Sequence, residues 1–152
     1  MTEHPNKPRR WLRIWQQNVN KSLEAQLDLL HSQSPAQYDI IAIQEPYIDF
    51  LGNSRANPYW YSIYPPNHID NPKATRSLLL ISKQLTTTNA WTQIPVKSAN
   101  ITAICINCDI GPIDIYNIYN DGMHSDDLIC LDHHLRGNVL EPAKLLVFGR
   151  YT

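Results

Sequence analysis

The sequence lacks the features that mark membrane and secreted proteins. No window of its 152 residues approaches the roughly 18 consecutive apolar residues of a membrane span. The basic N-terminus is not followed by the apolar segment of a secretory signal. Its cysteines number only three, an odd count that argues against a disulfide framework. We therefore expect a soluble, intracellular protein that does not enter a membrane, either nuclear or cytoplasmic.

An excess of positive charge is also missing. The formal net charge is -1 and the sequence pI is about 6.6, so the strongly basic face of many nucleic-acid binders is not indicated. Basic residues cluster only near the N-terminus. We expect residues 1–10 to form a disordered basic tail and residues 11–152 to form one domain.

Hydrophobic patterns predict the order strand, helix, a run of strands, helix, strand, which is typical of a mixed α/β layer fold with mostly sheet. Gly111 and Pro112 predict the turn of a hairpin between two of these strands. The predicted strands are residues 11–19, 38–44, 59–65, 77–82, 91–96, 100–108 and 113–119, and a last strand in "KLLVFG" at 144–149.

Two helices complete the pattern. Ser22 can cap the first, in which Leu23, Leu27 and Leu30 share one face at spacings of four and three residues. Ser125 can cap the second, whose leucines at 128, 131 and 135 lie on one side.

Cys105 and Cys108 form a C-x-x-C pattern, which can indicate a zinc site. Both residues lie inside a predicted strand, where an offset of three places side chains on opposite faces. No second pair of ligands follows. The pattern therefore favours a strand over a metal site.

Polar side chains gather where the predicted strands end. Asn18 closes the first strand, Gln44 and Glu45 close the second, and Tyr119 and Asn120 close the seventh. Strand ends are where α/β folds place their sites, and oxygen ligands of this kind suit Mg²⁺. Taken singly, each residue also fits an ordinary role: Glu45 as a solvated turn residue, the asparagines as turn formers and Tyr119 as a half-buried sheet aromatic.

Three motifs considered together resemble a known family. "WQQNVN", "YDIIAIQEP" and "IDIYNIYN", in this order, resemble the endonuclease/exonuclease/phosphatase superfamily, with its pancreatic-deoxyribonuclease-like fold. The variants "QEP" and "IYN" look most like the endonuclease domains of non-LTR retrotransposons. The resemblance runs from about Leu12 to the end of the sequence. It implies an α/β fold, the first half of a four-layer α/β sandwich.

The resemblance also implies roles for the residues at the strand ends. Glu45 would bind a catalytic Mg²⁺ or Mn²⁺, and Asn18 would hydrogen-bond near the metal or the scissile phosphate. Tyr119 would contact the phosphate. Asn120 departs from the pattern, because relatives often place two residues between the tyrosine and its asparagine. DNA would be the substrate of the intact family.

Other motifs of the family do not follow. The strand resembling "LLVFG" should lead into Gly-Asp-x-Asn, but Arg150 stands at the aspartate and Thr152 at the asparagine. The later Ser-Asp-His segment is absent. We therefore expect a truncated domain over residues 11–152 whose activity as a metal-dependent phosphodiester hydrolase is impaired. A non-catalytic remnant that binds a partner and a phosphatase for small phosphoesters are the alternatives.

A truncated sandwich would also have consequences for packing. We expect the inner face of the first sheet, including Ile41, Ile43, Leu78 and Leu80, to be bare to water. Such an uncovered face and its unpaired edges would favour self-association.

Overall fold

The computed structural model describes residues 12–88, 90–108, 111–120 and 144–150, the side chains at 87, 88 and 144–150 excepted. The predicted tail at residues 1–10 and the predicted helix capped by Ser125 lie outside the described residues.

Eight strands of the described residues form two four-stranded sheets, as an α/β sandwich predicts. The first sheet has the order β1-β2-β4-β3 and the second the order β5-β6-β7-β8. The pairs β1/β2 and β7/β8 are parallel and the other neighbours are antiparallel. The strands are β1 Ile14–Asn18, β2 Ile40–Gln44, β3 Trp60–Ile63, β4 Ser77–Ser82, β5 Trp91–Ile94, β6 Ile101–Cys108, β7 Gly111–Tyr119 and β8 Lys144–Arg150.

Every predicted strand is present, and the hairpin between β6 and β7 is confirmed. The prediction that Gly111 and Pro112 form its turn is wrong, because they are already the first residues of β7 and pair with Cys108 and Asn107. Gly111 has φ of +110°, a left-handed conformation that glycine adopts without a steric penalty.

One α-helix lies between β1 and β2 of the first sheet, and a second lies between β4 of the first sheet and β5 of the second. Helix α1 spans Leu23–Ser32 and helix α2 spans Lys83–Thr88. Short 3₁₀ turns at Pro66–Ile69 and Pro72–Ala74 shape the long loop before β4. Helix α2 was not predicted, since its six residues include several threonines and carry no clear apolar stripe. Neither α-helix is long and apolar enough to cross a membrane, in the part of the chain described.

Helix α1 begins as the sequence indicates, and Leu30 of the predicted face packs against an apolar cluster, but the centre of the packing face lies elsewhere. The Ser22 hydroxyl accepts a hydrogen bond from the Ala25 amide at 3.1 Å, which confirms the predicted cap. The prediction that Leu27 belongs to the packing face is wrong, because its side chain is 49% exposed while Gln26 and Leu29 are buried. The Gln26 carboxamide is drawn inward by hydrogen bonds to the loop after β2.

The two sheets pack face to face. Side chains along the central strands β2 and β4 point alternately into the layer between the sheets and into a second apolar layer on the outer side. Ile40 and Ala42 of β2 lie between the sheets against Ile104 and Ile115 of the second sheet. Packing between two inner faces in this way is the arrangement expected of a sandwich. The layer also contains Ile63, Leu79, Ile81, Leu85, Ile106 and Ile113.

The expectation of a bare sheet face is wrong. Ile41, Ile43, Leu78 and Leu80 are fully buried. They lie on the outer side of the first sheet in a cluster with residues such as Leu29 of helix α1. The inner face is covered as well, because this chain supplies strands of both sheets. Self-association therefore has no support from these residues and stays a prediction.

Helix α1 provides a direct test of this packing. We expect Leu29→Ala to lower the free energy of unfolding by about 2 to 4 kcal/mol, because it leaves a cavity in a closed apolar cluster. Leu27→Ala should cost less than about 1 kcal/mol, since an exposed side chain loses little burial. Urea denaturation of both variants measures the difference. Equal losses would contradict the orientation of the helix.

Candidate functional site

Strand ends from both sheets meet at one edge of the sandwich. Strands β1 and β2 are parallel and end there at Asn18 and Gln44, and the antiparallel β4 begins there at Ser77. In the second sheet, β7 and β8 are parallel and end together, with Tyr119 paired with Arg150. The two sheets are joined at this edge by hydrogen bonds from Asn117 of β7 to the main chain of β2 and β4.

Glu45, the first residue after β2, is held in an unusual backbone conformation. Its φ is +50°, a left-handed value that costs a non-glycine residue of order 1–3 kcal/mol. Hydrogen bonds fix the residue from both sides. The Glu45 amide donates to the Arg76 carbonyl at 2.8 Å, and the Glu45 carbonyl accepts from the Lys21 amide at 2.7 Å.

The turn that meets Glu45 is strained in the same way. Asn20 and Lys21 have φ of 52° and 57°. The Asn20 amide donates to the Asn18 side-chain oxygen at 2.8 Å. This bond occupies the acceptor of the Asn18 carboxamide and leaves its NH₂ group directed at the Glu45 carboxylate, with Nδ2 and Oε1 3.1 Å apart. Asn18 and Glu45, two of the predicted site residues, are therefore in direct contact.

The Glu45 carboxylate keeps room for a further ligand. Its side chain is partly exposed, and within the described ranges only Asn18 donates a hydrogen bond to it. No group of three or more His, Cys, Asp or Glu side chains that could hold a metal ion occurs in the described part of the chain. Among the described residues, Glu45 is therefore the carboxylate on which an ion bound here would rely, with water and substrate as further ligands.

Arg76 links Tyr119 to Glu45, because it contacts both residues. The Arg76 guanidinium carbon is 5.3 Å from the centre of the Tyr119 ring, within the range of a cation–π contact. Main-chain hydrogen bonds to Ala99 and Asn100 hold the two residues in place. Arg76 thus contacts both Glu45, through the main chain, and Tyr119, through the side chain. Sequence reasoning did not single out Arg76.

The fourth predicted residue, Asn120, directly follows Tyr119 and is 9% exposed. It therefore lies at the same edge of the sandwich but is mostly buried. Its part in a site remains a prediction, as do the roles of Asn18, Glu45 and Tyr119.

A buried polar layer lies directly below these residues. The Asn117 carboxamide donates to the carbonyls of Ile43 and Leu78, both at 2.9 Å. Its oxygen accepts a hydrogen bond from the Gln44 carboxamide, which in turn accepts from Gln16. Asn117 and Gln44 are both 0% exposed. Every hydrogen-bonding group of the Asn117 side chain is therefore used.

Two hydroxyl groups extend this layer. Ser77 donates to the Asn117 carbonyl at 2.7 Å, and Thr102 donates to the Ser77 carbonyl at 2.9 Å. A sequence signal for the layer existed in β7. Ile113 and Ile115 point between the sheets, and a period of two then places Asn117 and Tyr119 on the same face.

The thiols of β6 lie away from this edge. Cys108 packs against the core between the sheets, while Cys105 pairs with Asp114 on the other face. The predicted separation of the two side chains is therefore confirmed. Burial, together with a hydrogen bond to Asp114, raises the pKa of Cys105 to about 11.

These features define a class of fold, an α/β sandwich of the pancreatic-deoxyribonuclease type. A solved structure described as the endonuclease domain of TRAS1, a telomere-specific non-LTR retrotransposon, matches the chain with a TM-score of 0.70 and 16% sequence identity. The match covers 91% of this chain and 57% of that chain. It confirms the predicted fold, and the chain spans little more than half of that endonuclease domain. No protein-family model and no curated protein matches the sequence.

The polar layer predicts a large penalty for removing Asn117. We expect Asn117→Ala to lower the free energy of unfolding by at least about 2 kcal/mol, because Gln44 loses its buried acceptor and the two sheets lose a link. Urea denaturation measures this change. The exposed Asn67 is the matched control, since Asn67→Ala should change stability by less than about 0.5 kcal/mol. A loss of similar size in both variants would contradict the role of Asn117.

The raised pKa of Cys105 predicts slow alkylation. The pKa rises from 9.0 to about 11, so the reactive thiolate is roughly 100-fold rarer below pH 9. In a variant with Cys108 and Cys130 changed to serine, iodoacetamide should react with Cys105 far more slowly in the folded than in the urea-unfolded protein. Because the folded state keeps its proton longer, stability should fall as pH rises from 9 towards 11. Equal rates in both states would contradict the burial of this thiol.

Proposed function

We propose that the chain carries part of the site of a divalent-metal-dependent phosphodiester hydrolase that acts on DNA. The observation that supports this most is the convergence of Asn18, Glu45 and Tyr119 at one edge of a sandwich with an endonuclease-type fold. These residues come from three separate strands. Their meeting is not required by the apolar core, which is complete without them.

The residues at this edge fit a hard cation. Glu45 would hold Mg²⁺ or Mn²⁺ through its partly exposed carboxylate, and Asn18 would keep that carboxylate in position. Mg²⁺ is commonly bound by one or two carboxylates and completes its shell with water and substrate phosphates. A bound ion would polarise the phosphate and stabilise charge on the leaving oxygen.

A phosphate group would be bound by Tyr119 and Arg76, which lie next to each other at the same edge. The Tyr119 phenol can donate a hydrogen bond to a phosphate oxygen, and the Arg76 guanidinium beside the ring supplies positive charge. Arg76 is also hydrogen-bonded to Glu45 through the main chain. The groups for metal and for phosphate are therefore held on one rigid support.

We further propose that hydrolysis by this chain is weak. By the resemblance, the residue paired with Tyr119 should be the aspartate of Gly-Asp-x-Asn, and that residue is Arg150. General acid–base help contributes about 10² to 10⁴ in rate, and a single preorganised donor contributes about 10² to 10³. Losing such groups lowers turnover more than it lowers metal binding. Metal binding is therefore the more sensitive test.

The test is calorimetric titration of the chain with Mn²⁺. We expect saturable binding that Glu45→Gln weakens at least about tenfold, because the amide keeps the shape of the side chain but removes the charge that binds the ion. Glu24→Gln is the matched control, since Glu24 is exposed in the first turn of α1. Plasmid nicking with Mg²⁺, measured on the same samples, reports residual hydrolysis.

The outcomes separate the candidate functions. Equal affinities in wild type and Glu45→Gln would exclude a metal site at Glu45 and favour a non-catalytic, partner-binding protein. Metal binding combined with hydrolysis of p-nitrophenyl phosphate, but not of DNA, would favour a phosphatase for small phosphoesters.

A further inference from the structure

We propose that the turn Asp49–Gly52 is a DNA-contacting wedge, in which Phe50 and Leu51 enter the base stack beside the Glu45 site. The inference rests on the proposed function, because it takes DNA as the substrate. It adds a contact surface that none of the motifs discussed above contains.

The turn places two large apolar side chains where polar residues are normal. The Gly52 amide donates to the Asp49 carbonyl at 3.0 Å, so Phe50 and Leu51 are the central residues of a β-turn. Such positions favour Gly, Pro, Asn, Asp and Ser. Phe50 is 88% and Leu51 70% exposed. Neither side chain contributes to the apolar clusters of the fold.

The main chain of the turn is firmly held even though its tip is exposed. The Asp49 carboxylate accepts hydrogen bonds from the amides of Leu51 and Asn53, both at 2.9 Å. Ile48 and Ser54 form an antiparallel bridge that closes the base of the loop. The apolar pair is therefore presented on a preorganised support, which lowers the entropy cost of binding.

Neighbouring segments hold the turn from the other side. Lys73 donates to the carbonyls of Ile48 and Asp49 at 3.0 and 3.1 Å. The His68 ring lies 2.7 Å from the Gly52 carbonyl through Nε2, which must donate because a carbonyl only accepts. Gly52 itself has φ of +84°, and a side chain there would meet Pro72 at 3.0 Å. The conformation of the turn thus depends on glycine at this position.

The loop leads directly from the candidate site. A cavity of about 170 Å³ separates the base of the loop from the turn that contacts Glu45, and it is lined by Lys21, Pro46, Tyr47, Ile48, Lys73 and Thr75. Two of these residues are lysines. Lys21 donates its amide to the Glu45 carbonyl, and Lys73 holds the turn. Positive charge therefore lies between the apolar tip and the candidate metal ligand.

This combination favours DNA over a protein partner. Two side chains offer far less than the roughly 800 Å² per partner of a stable protein interface. An apolar wedge next to cationic groups is instead how many proteins kink or unstack a duplex while binding its phosphates. A wedge near Glu45 would open the backbone at the phosphodiester to be cut.

The test measures DNA binding without cleavage. A fluorescein-labelled duplex with a single 2-aminopurine is titrated with protein in EDTA and low salt, so that anisotropy reports affinity and 2-aminopurine emission reports unstacking. We expect Phe50→Ala to weaken binding about fivefold or more, within the range for loss of one stacked base, and to abolish the rise in emission. Tyr59→Ala is the control, because Tyr59 is 65% exposed and precedes β3 at the far end of the sheet.

Each of the following outcomes would contradict the proposal that Phe50 and Leu51 form a wedge in DNA. Equal affinity for Phe50→Ala and Tyr59→Ala would remove the turn from the interface. If Phe50→Ala weakens binding but the wild type gives no rise in 2-aminopurine emission, Phe50 contacts the DNA without entering the base stack. A dimer in gel filtration that Phe50→Ala dissociates would make a second copy the occupant. Failure of wild type to bind the duplex would also defeat the wedge, whereas the metal site at Glu45 is decided separately by Mn²⁺ calorimetry.

Discussion

The cross-sheet hydrogen bonds of Asn117 are the constraint on which the candidate site depends. One buried carboxamide joins the main chains of β2 and β4 to β7. Its partner in β2 is the carbonyl of Ile43, two residues before Glu45. A buried amide with all its groups satisfied is stable only in one arrangement, because an unpaired group costs about 1 to 3 kcal/mol. Asn117 therefore fixes how far apart Glu45 and Tyr119 lie, although it would contact neither a metal nor a substrate.

Strain is concentrated directly above this layer. Asn20, Lys21 and Glu45 all have positive φ, and the Lys21 amide joins the two strained segments by its bond to the Glu45 carbonyl. Backbone outliers of this kind persist where the surrounding structure determines them strongly, and they often lie at functional sites. Along the strands, the inner side of the sandwich thus changes from apolar residues to a layer of hydrogen-bonded polar side chains. The strained residues Asn20, Lys21 and Glu45 follow beyond this layer.

Local pattern was sufficient for the strands and for the candidate residues at their ends. β4 has the predicted limits, because a continuous apolar run between polar segments has few alternatives. Local pattern could not predict contacts between residues far apart in the sequence. The inward turn of Gln26 shifts the packing face of α1 away from the predicted one, and the role of Asn117 depends on partners about 40 and 74 residues away. The resemblance supplied the expected roles of Asn18, Glu45 and Tyr119, whereas Arg76 and the Phe50 turn required coordinates.

A metal site at Glu45 is tested most directly by paramagnetic line broadening from trace Mn²⁺ in the ¹H–¹⁵N spectrum of the chain. We expect selective loss of the resonances of Asn18, Glu45 and Tyr119, with those of Trp91 unchanged, because β5 pairs Trp91 with Ile106 and β6 reaches the candidate edge only at Ile101. Uniform broadening, or broadening centred on any other part of the chain, would contradict a metal site at the end of β2.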